Sequence, residues 1–199
     1  HVEVTEHGLL GLLIMCGLTL RKMIKALLRF SHIQSNLVSF ETVNDNDRNV
    51  TKLIFIPQEN LGEVEQFTLE ICMATFYKTK NQLLGQQDGE TEVCFSFKKT
   101  ADMLHHHDFY GGKVLYNQPE TCIILPNAEL DIELKNGNKA TFSLLEEQCQ
   151  NSLTEINNNH DITSQVRKHL QENTTTHMSL GHMAQHFAMS ERTLSRHLN

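Results

Sequence analysis

Apolar residues along this chain follow two patterns, one recurring every three to four positions and one alternating. The first marks amphipathic helices and the second half-buried strands. Leu9 to Cys16 predicts a short helix, and Thr19 is placed to cap a second one running to about Phe30. In that second helix Leu20, Met23, Ile24, Leu27 and Leu28 make one stripe, while Arg21, Lys22, Lys25 and Arg29 hold the other face, predicted to be solvated. Strand patterns follow at 36–43 and 49–56, separated by the turn-forming Asn44-Asp45-Asn46-Asp47 and closed by Pro57. Residues 61–84 predict a long helix with Val64, Phe67, Leu69, Ile71 and Phe76 among its apolar positions, and Gly85 ends it. Glu92 to Phe97 alternates as a third strand, 100–107 predicts a short helix, and 113–116 and 121–125 predict two more strands. Helices and strands mix here without the regular alternation of a parallel α/β domain, so the fold class expected is α+β.

Beyond Asn136-Gly137-Asn138 only helical patterns remain, at about 141–157, 162–173, 180–187 and 191 to the end. Asn157-Asn158-Asn159-His160 predicts a linker. The domains expected are 1–140 (mixed α+β), 141–160 (connecting helix and linker) and 161–199 (all-helical). The chain opens at His1 rather than Met and closes inside a helical pattern at Asn199, as a piece of a longer protein does.

The stretch from Ser179 to Leu198 carries the clearest chemistry. Leu180, Met183 and Phe187 form one face of a short helix, and Ala184 is small where a second helix would cross it. Ala188-Met189-Ser190 forms a turn, with Met189 filling the gap and Ser190 capping the next helix through its hydroxyl. In that helix Leu194 and Leu198 point inward, while Arg192, Ser195, Arg196 and Asn199 fall on the opposite face. Exposed arginines can fork onto guanine edges or phosphates. Periodicity alone fits a plain helical hairpin as well as a helix-turn-helix.

The run Leu180-x-x-Met-Ala-x-x-Phe-Ala-Met-Ser-x-Arg-Thr-Leu-x-Arg-x-Leu198 closely resembles the first helix-turn-helix of the AraC/XylS family of bacterial transcription regulators. The resemblance implies Arg192, Ser195 and Arg196 as groove-facing and Thr193 as a backbone contact. Ala188 departs from the Gly often found in such turns; a left-handed backbone there costs an alanine about 1 kcal/mol. Val93-Cys-Phe-Ser-Phe97, Phe109-Tyr-Gly-Gly-Lys-Val114, Leu125-Pro-Asn-Ala-Glu-Leu-Asp131, Gly8-Leu-Leu-Gly and Thr19-Leu-x-x-x-Ile24 resemble the arabinose-binding-type sensor domain of one branch of the family. The resemblance implies an effector-responsive, homodimeric, cytoplasmic regulator that reads a specific operator in the DNA major groove, responds to an unknown small molecule, and needs no cofactor.

Composition narrows the alternatives. With 39% hydrophobic and 21% charged residues, 3 Pro and 10 Gly, the chain is no fibrous or low-complexity sequence. The net charge of −7 divides unevenly: residues 1–159 carry −8 and residues 160–199 carry +1. Any contact with nucleic acid is therefore local to the C-terminal segment. Six of the 12 histidines lie in 160–199, so mildly acid pH would add positive charge there. The five cysteines are widely spaced without a C-x-x-C pair, which favours reduced thiols over a disulfide framework or zinc site. Leu9 to Leu20 is too short for a bilayer and is interrupted by Gly11 and Gly17, and Glu3 and Glu6 upstream do not suit a signal peptide.

Other chemistry finds little support. Three consecutive histidines (His105, His106, His107) beside Asp108 point in different directions on a helix and make no metal site; a solvated helix end is expected. Gly111-Gly112 lacks the spacing of a phosphate loop and predicts a turn that lets Tyr110 pack. No nucleophile elbow is present, and no catalytic residues are expected. The rival reading is a stand-alone small-molecule-binding or enzymatic α+β domain with a helical C-terminal extension. Arg192 and Arg196 exposed over buried Leu194 and Leu198 would favour DNA.

Overall fold

A computed structural model describes residues 8–35, 37–58, 61–85, 91–100, 103, 105–111, 113–172 and 179–198, without the side chains of 157–161, 164, 168, 171 and 172. The loop at 86–90, Gly112 and Asn199, along with His177 and parts of the helix expected at 100–107, lie outside the described residues. The chain divides into two compact units, His1–Cys149 and Gln150–Asn199.

The first unit opens with α1 (Gly8–Met15) and α2 (Leu20–Phe30). Thr19 caps α2 as expected, its hydroxyl accepting the Lys22 N–H at 3.3 Å. Leu20, Met23, Ile24 and Phe30 are buried, and Leu27 and Leu28 are half-buried. The basic face is solvated as the sequence suggests, with Lys22, Lys25 and Arg29 exposed, and its contacts lie at the surface: Arg21 makes two 2.7 Å bonds to Asp131, Arg29 lies 3.6 Å from Glu146, and Lys22 sits over the Phe142 ring.

β1 (Val38–Asp45) and β2 (Val50–Pro57) form an antiparallel hairpin in register from Val38↔Pro57 to Asp45↔Val50. The turn comes two residues later than the Asn/Asp cluster predicts, because Asn44 and Asp45 pair within the ladder and Asn49 adopts the left-handed conformation (φ 54°). The long helix begins with a 3-10 turn at Gly62–Val64 and continues as α3 (Glu65–Leu84), ended by left-handed Gly85 (φ 71°). Leu69, Met73, Phe76, Tyr77 and Leu83 are its buried apolar positions. Val64, Phe67 and Ile71, expected among its apolar positions, are exposed.

Then follow β3 (Glu92–Cys94), α4 (His106–Tyr110), β4 (Lys113–Leu115), β5 (Cys122–Pro126) and the short α5 (Asn127–Leu130). β3 is three residues shorter than predicted: Phe95 N–H still donates to the Leu115 carbonyl at 2.8 Å, the chain bends at Ser96 and Phe97, and the Phe95 ring joins an aromatic cluster with His106, Tyr110 and Tyr116. His106 is therefore half-buried rather than solvated, with Nδ1 3.0 Å from the Tyr116 hydroxyl. His105, His107 and Asp108 are exposed.

The sheet runs β1-β2-β5-β3-β4, antiparallel except for the β3–β4 pair. Leu53, Ile123, Leu125 and Val93 are fully buried, and the Phe55 and Phe76 rings meet at 6.2 Å where α3 packs on β2. The alternate residues Ile54, Cys94, Cys122 and Ile124 form a second buried cluster, so the sheet is apolar on both faces. The five cysteines are free thiols, with Cys94 directly opposite Cys122. The fold is α+β, as predicted.

From Lys139 to Glu172 the backbone is a single helix, α6. Asn138 starts it by accepting the Thr141 N–H at 3.0 Å. The break expected at 157–160 is absent: asparagines cost a helix only about half a kcal/mol each, and without Pro or Gly they do not stop it. Among the described residues no helix is long and apolar enough to cross a membrane.

Candidate nucleic-acid interface

The second unit packs the C-terminal part of α6 against α7 (Leu180–His186) and α8 (Glu191–Leu198). Ser179 caps α7, its hydroxyl accepting the His182 N–H at 3.3 Å. The turn is closed by bonds from Ala188 N–H to the Gln185 carbonyl (3.1 Å) and from Met189 N–H to the Ala184 carbonyl (2.9 Å). Ala188 has φ 52°, the left-handed conformation that the turn requires and that an alanine adopts under strain. Ser190 caps α8 through the Thr193 N–H at 3.1 Å.

Val166, Met183, Ala184 and Leu194 form the core of this unit, with Ile162, Phe187 and Met189 packed against them. Leu194 is completely inaccessible and Ala184 only 3% exposed, both within this cluster. Leu180 and Leu198, assigned to the same core from sequence, are exposed at 44% and 41%. Each lies one turn beyond the residues that meet in this core, at the start of α7 and the end of α8.

Arg192 and Arg196 are exposed and Ser195 half-exposed on α8. Among the described residues, no carboxylate pairs with either guanidinium. The Thr193 hydroxyl lies 2.8 Å from Ser190 Oγ, so it serves the cap first. Three relationships were not legible in the sequence. His169 stacks on His186 with ring centroids 4.0 Å apart. The Thr163 hydroxyl donates to the His197 carbonyl at 3.2 Å, tying the end of α8 to α6. A Cβ on Gly181 would lie 2.7 Å from Glu191 Oε1, so the glycine leaves room for the first residue of α8. Spacing along one helix signals none of these, because each joins two elements.

Residues 1–134 match the family described as the arabinose-binding domain of AraC transcription regulators, N-terminal. The chain belongs to this family. It is also similar to the ornithine utilization regulator of Pseudomonas aeruginosa, 25% identical over 198 residues. That alignment covers 100% of this chain and 58% of the relative, so the chain spans little more than half of its length. In fold it is similar to the crystal structure of the transcriptional regulator CdpR from Pseudomonas aeruginosa, with a TM-score of 0.58 at 14% identity. There the match covers 100% of this chain and 64% of that one. The arabinose-binding family match ends at residue 134, before α6, and does not extend to α7 and α8.

Proposed function

We propose that this chain is part of a transcription regulator of the AraC/XylS type, sequence-specific in DNA binding and responsive to an effector through its first unit. The observation that carries the reading is the pairing of exposed Arg192 and Arg196 with fully buried Leu194 on one eight-residue helix. A helix so anchored presents two guanidinium forks, and α8 enters the major groove with them. Arg192, Ser195 and Arg196 read base edges. Thr193 contacts the DNA backbone by exchanging its bond to Ser190. The −8 charge of residues 1–159 keeps that part away from DNA. The active species is a homodimer, the symmetry that pairs two half-sites.

The test is selection from a random double-stranded DNA pool by the full-length protein that contains this chain, followed by titration of the selected site. Arg196→Ala is expected to cost about 1–3 kcal/mol of discrimination at one base position. Equal weakening on every sequence would reassign Arg196 to a phosphate, and failure to select any sequence would remove the reading.

A further inference from the structure

In the first unit, α1, α2, β1 and α3 surround a cavity of about 200 Å³. Leu10, Met23, Phe40, Ile71 and Phe76 are among the apolar residues of its wall. Among the described residues lining it there is no Asp, Glu, Lys, Arg or His. Most hydroxyls at its edge are already engaged. Thr68 and Thr79 donate to the Val64 and Thr75 carbonyls at 2.8 and 2.7 Å, and Ser35 Oγ accepts the Leu37 N–H at 3.1 Å. Ser31 is different. It lines the cavity, is only 6% exposed, and its Oγ is buried with no hydrogen-bond partner among the described residues. A buried polar group left unpaired is costly and calls for a partner. Cys72, also in the wall, has its thiol pushed up by burial, so it adds no charge.

We propose that this cavity is the effector site and takes a small uncharged molecule, a single ring or branched aliphatic group whose one hydroxyl or carbonyl meets Ser31 Oγ. The proposal rests on the regulator reading above and adds the chemical class of the effector. Size supports the class: an apolar cavity of about 150 Å³ holds benzene, so this one holds a ring with one or two substituents. Charge supports it too. An amino acid such as ornithine would bring ammonium and carboxylate groups to a wall with no counter-charge among the described residues, and desolvation would oppose its entry.

The test titrates p-cresol, toluene and L-ornithine separately into the chain, read by calorimetry and ligand-observed NMR. We expect p-cresol and toluene to bind saturably and L-ornithine not to bind. Ser31→Ala is expected to weaken p-cresol about tenfold and leave toluene unchanged. Ile71→Trp, at an exposed wall position, is expected to block both, and Thr75→Leu serves as a second filling variant should the first unfold. Unaltered p-cresol affinity in the folded filling variants, an equal effect of Ser31→Ala on both rings, or saturable L-ornithine binding displaced by p-cresol would each overturn the proposal. The two readings separate cleanly. Expected p-cresol binding with no DNA sequence selected overturns the regulator reading alone, and a selected DNA sequence with no p-cresol binding overturns the ligand class alone.

Discussion

The Lys80 ammonium, on a side chain with no solvent exposure, lies 3.2 Å from a carboxylate oxygen of Glu129, joining α3 to α5. The same ammonium donates to the Thr91 hydroxyl at 2.7 Å and sits over the Tyr77 ring. A buried pair is weak evidence of net stability, yet removing one member strands the other. Glu129→Ala is therefore expected to destabilise the first unit by about 3–5 kcal/mol. The double replacement Lys80→Met with Glu129→Leu should recover most of that loss in urea unfolding. A double variant no more stable than the single one would show that the charges themselves are required.

Gly137 sits where two stretches of backbone touch. A Cβ there would lie 3.1 Å from the Gly17 carbonyl oxygen, the Leu134 carbonyl oxygen and the Leu18 Cα. Leu134 N–H also donates to the Leu18 carbonyl at 3.0 Å, so these strands of chain cannot part freely. Gly137→Ala is expected to cost about 1–3 kcal/mol, as overpacking does elsewhere. Thermal unfolding that matches the parent chain would refute the close approach.

Ala188 offers a change of opposite sign. Its left-handed backbone (φ 52°) strains an alanine, and glycine removes the strain at some cost in unfolded-state entropy. Ala188→Gly is expected to stabilise the second unit by about 0.5–1 kcal/mol, read from the melting of its helical signal. A loss of stability would mean that the turn gains nothing from glycine.

The Arg21–Asp131 pair predicts a pH dependence. The hydrogen bonds from Arg21, with its charge adding to them, hold the Asp131 carboxyl below the usual aspartate range. A depressed carboxyl contributes stability that is complete above its unfolded pKa, about 4, and is lost as pH falls through the lower folded value. Asp131→Asn should therefore melt slightly below the parent chain at pH 7, and the two curves should converge as pH is taken below 4. A difference that persists at pH 2 would assign the effect to packing rather than charge.

Much of this architecture is local in origin, and that part was legible in the chain. Thr19, Gly85, Ser179 and Ser190 act within one helical turn, through bonds to residues three or four positions away or through a backbone only glycine adopts easily. The stripe of α2 and the Met183, Ala184 and Leu194 contacts follow from a period of 3.6. Such signals need no knowledge of the rest of the molecule.

Where an element meets its neighbour, the primary structure is silent. Phe67 carries as apolar a side chain as Phe76, yet one is 63% exposed and the other 6%, because only one face of α3 is packed against the rest of its unit. Lys80 reads as an ordinary surface lysine until α5 brings Glu129 to it. Leu180 and Leu198 keep the core spacing but lie one turn outside the packed cluster and are exposed. Ser31, one hydroxyl among many in the chain, gains its meaning from the walls that α1, β1 and α3 raise around it. Order along the chain determined the helices, the strands and the caps, because their bonds close over a few residues. Burial, charge pairing and the cavity were decided only by packing, since each depends on distances between residues remote in sequence.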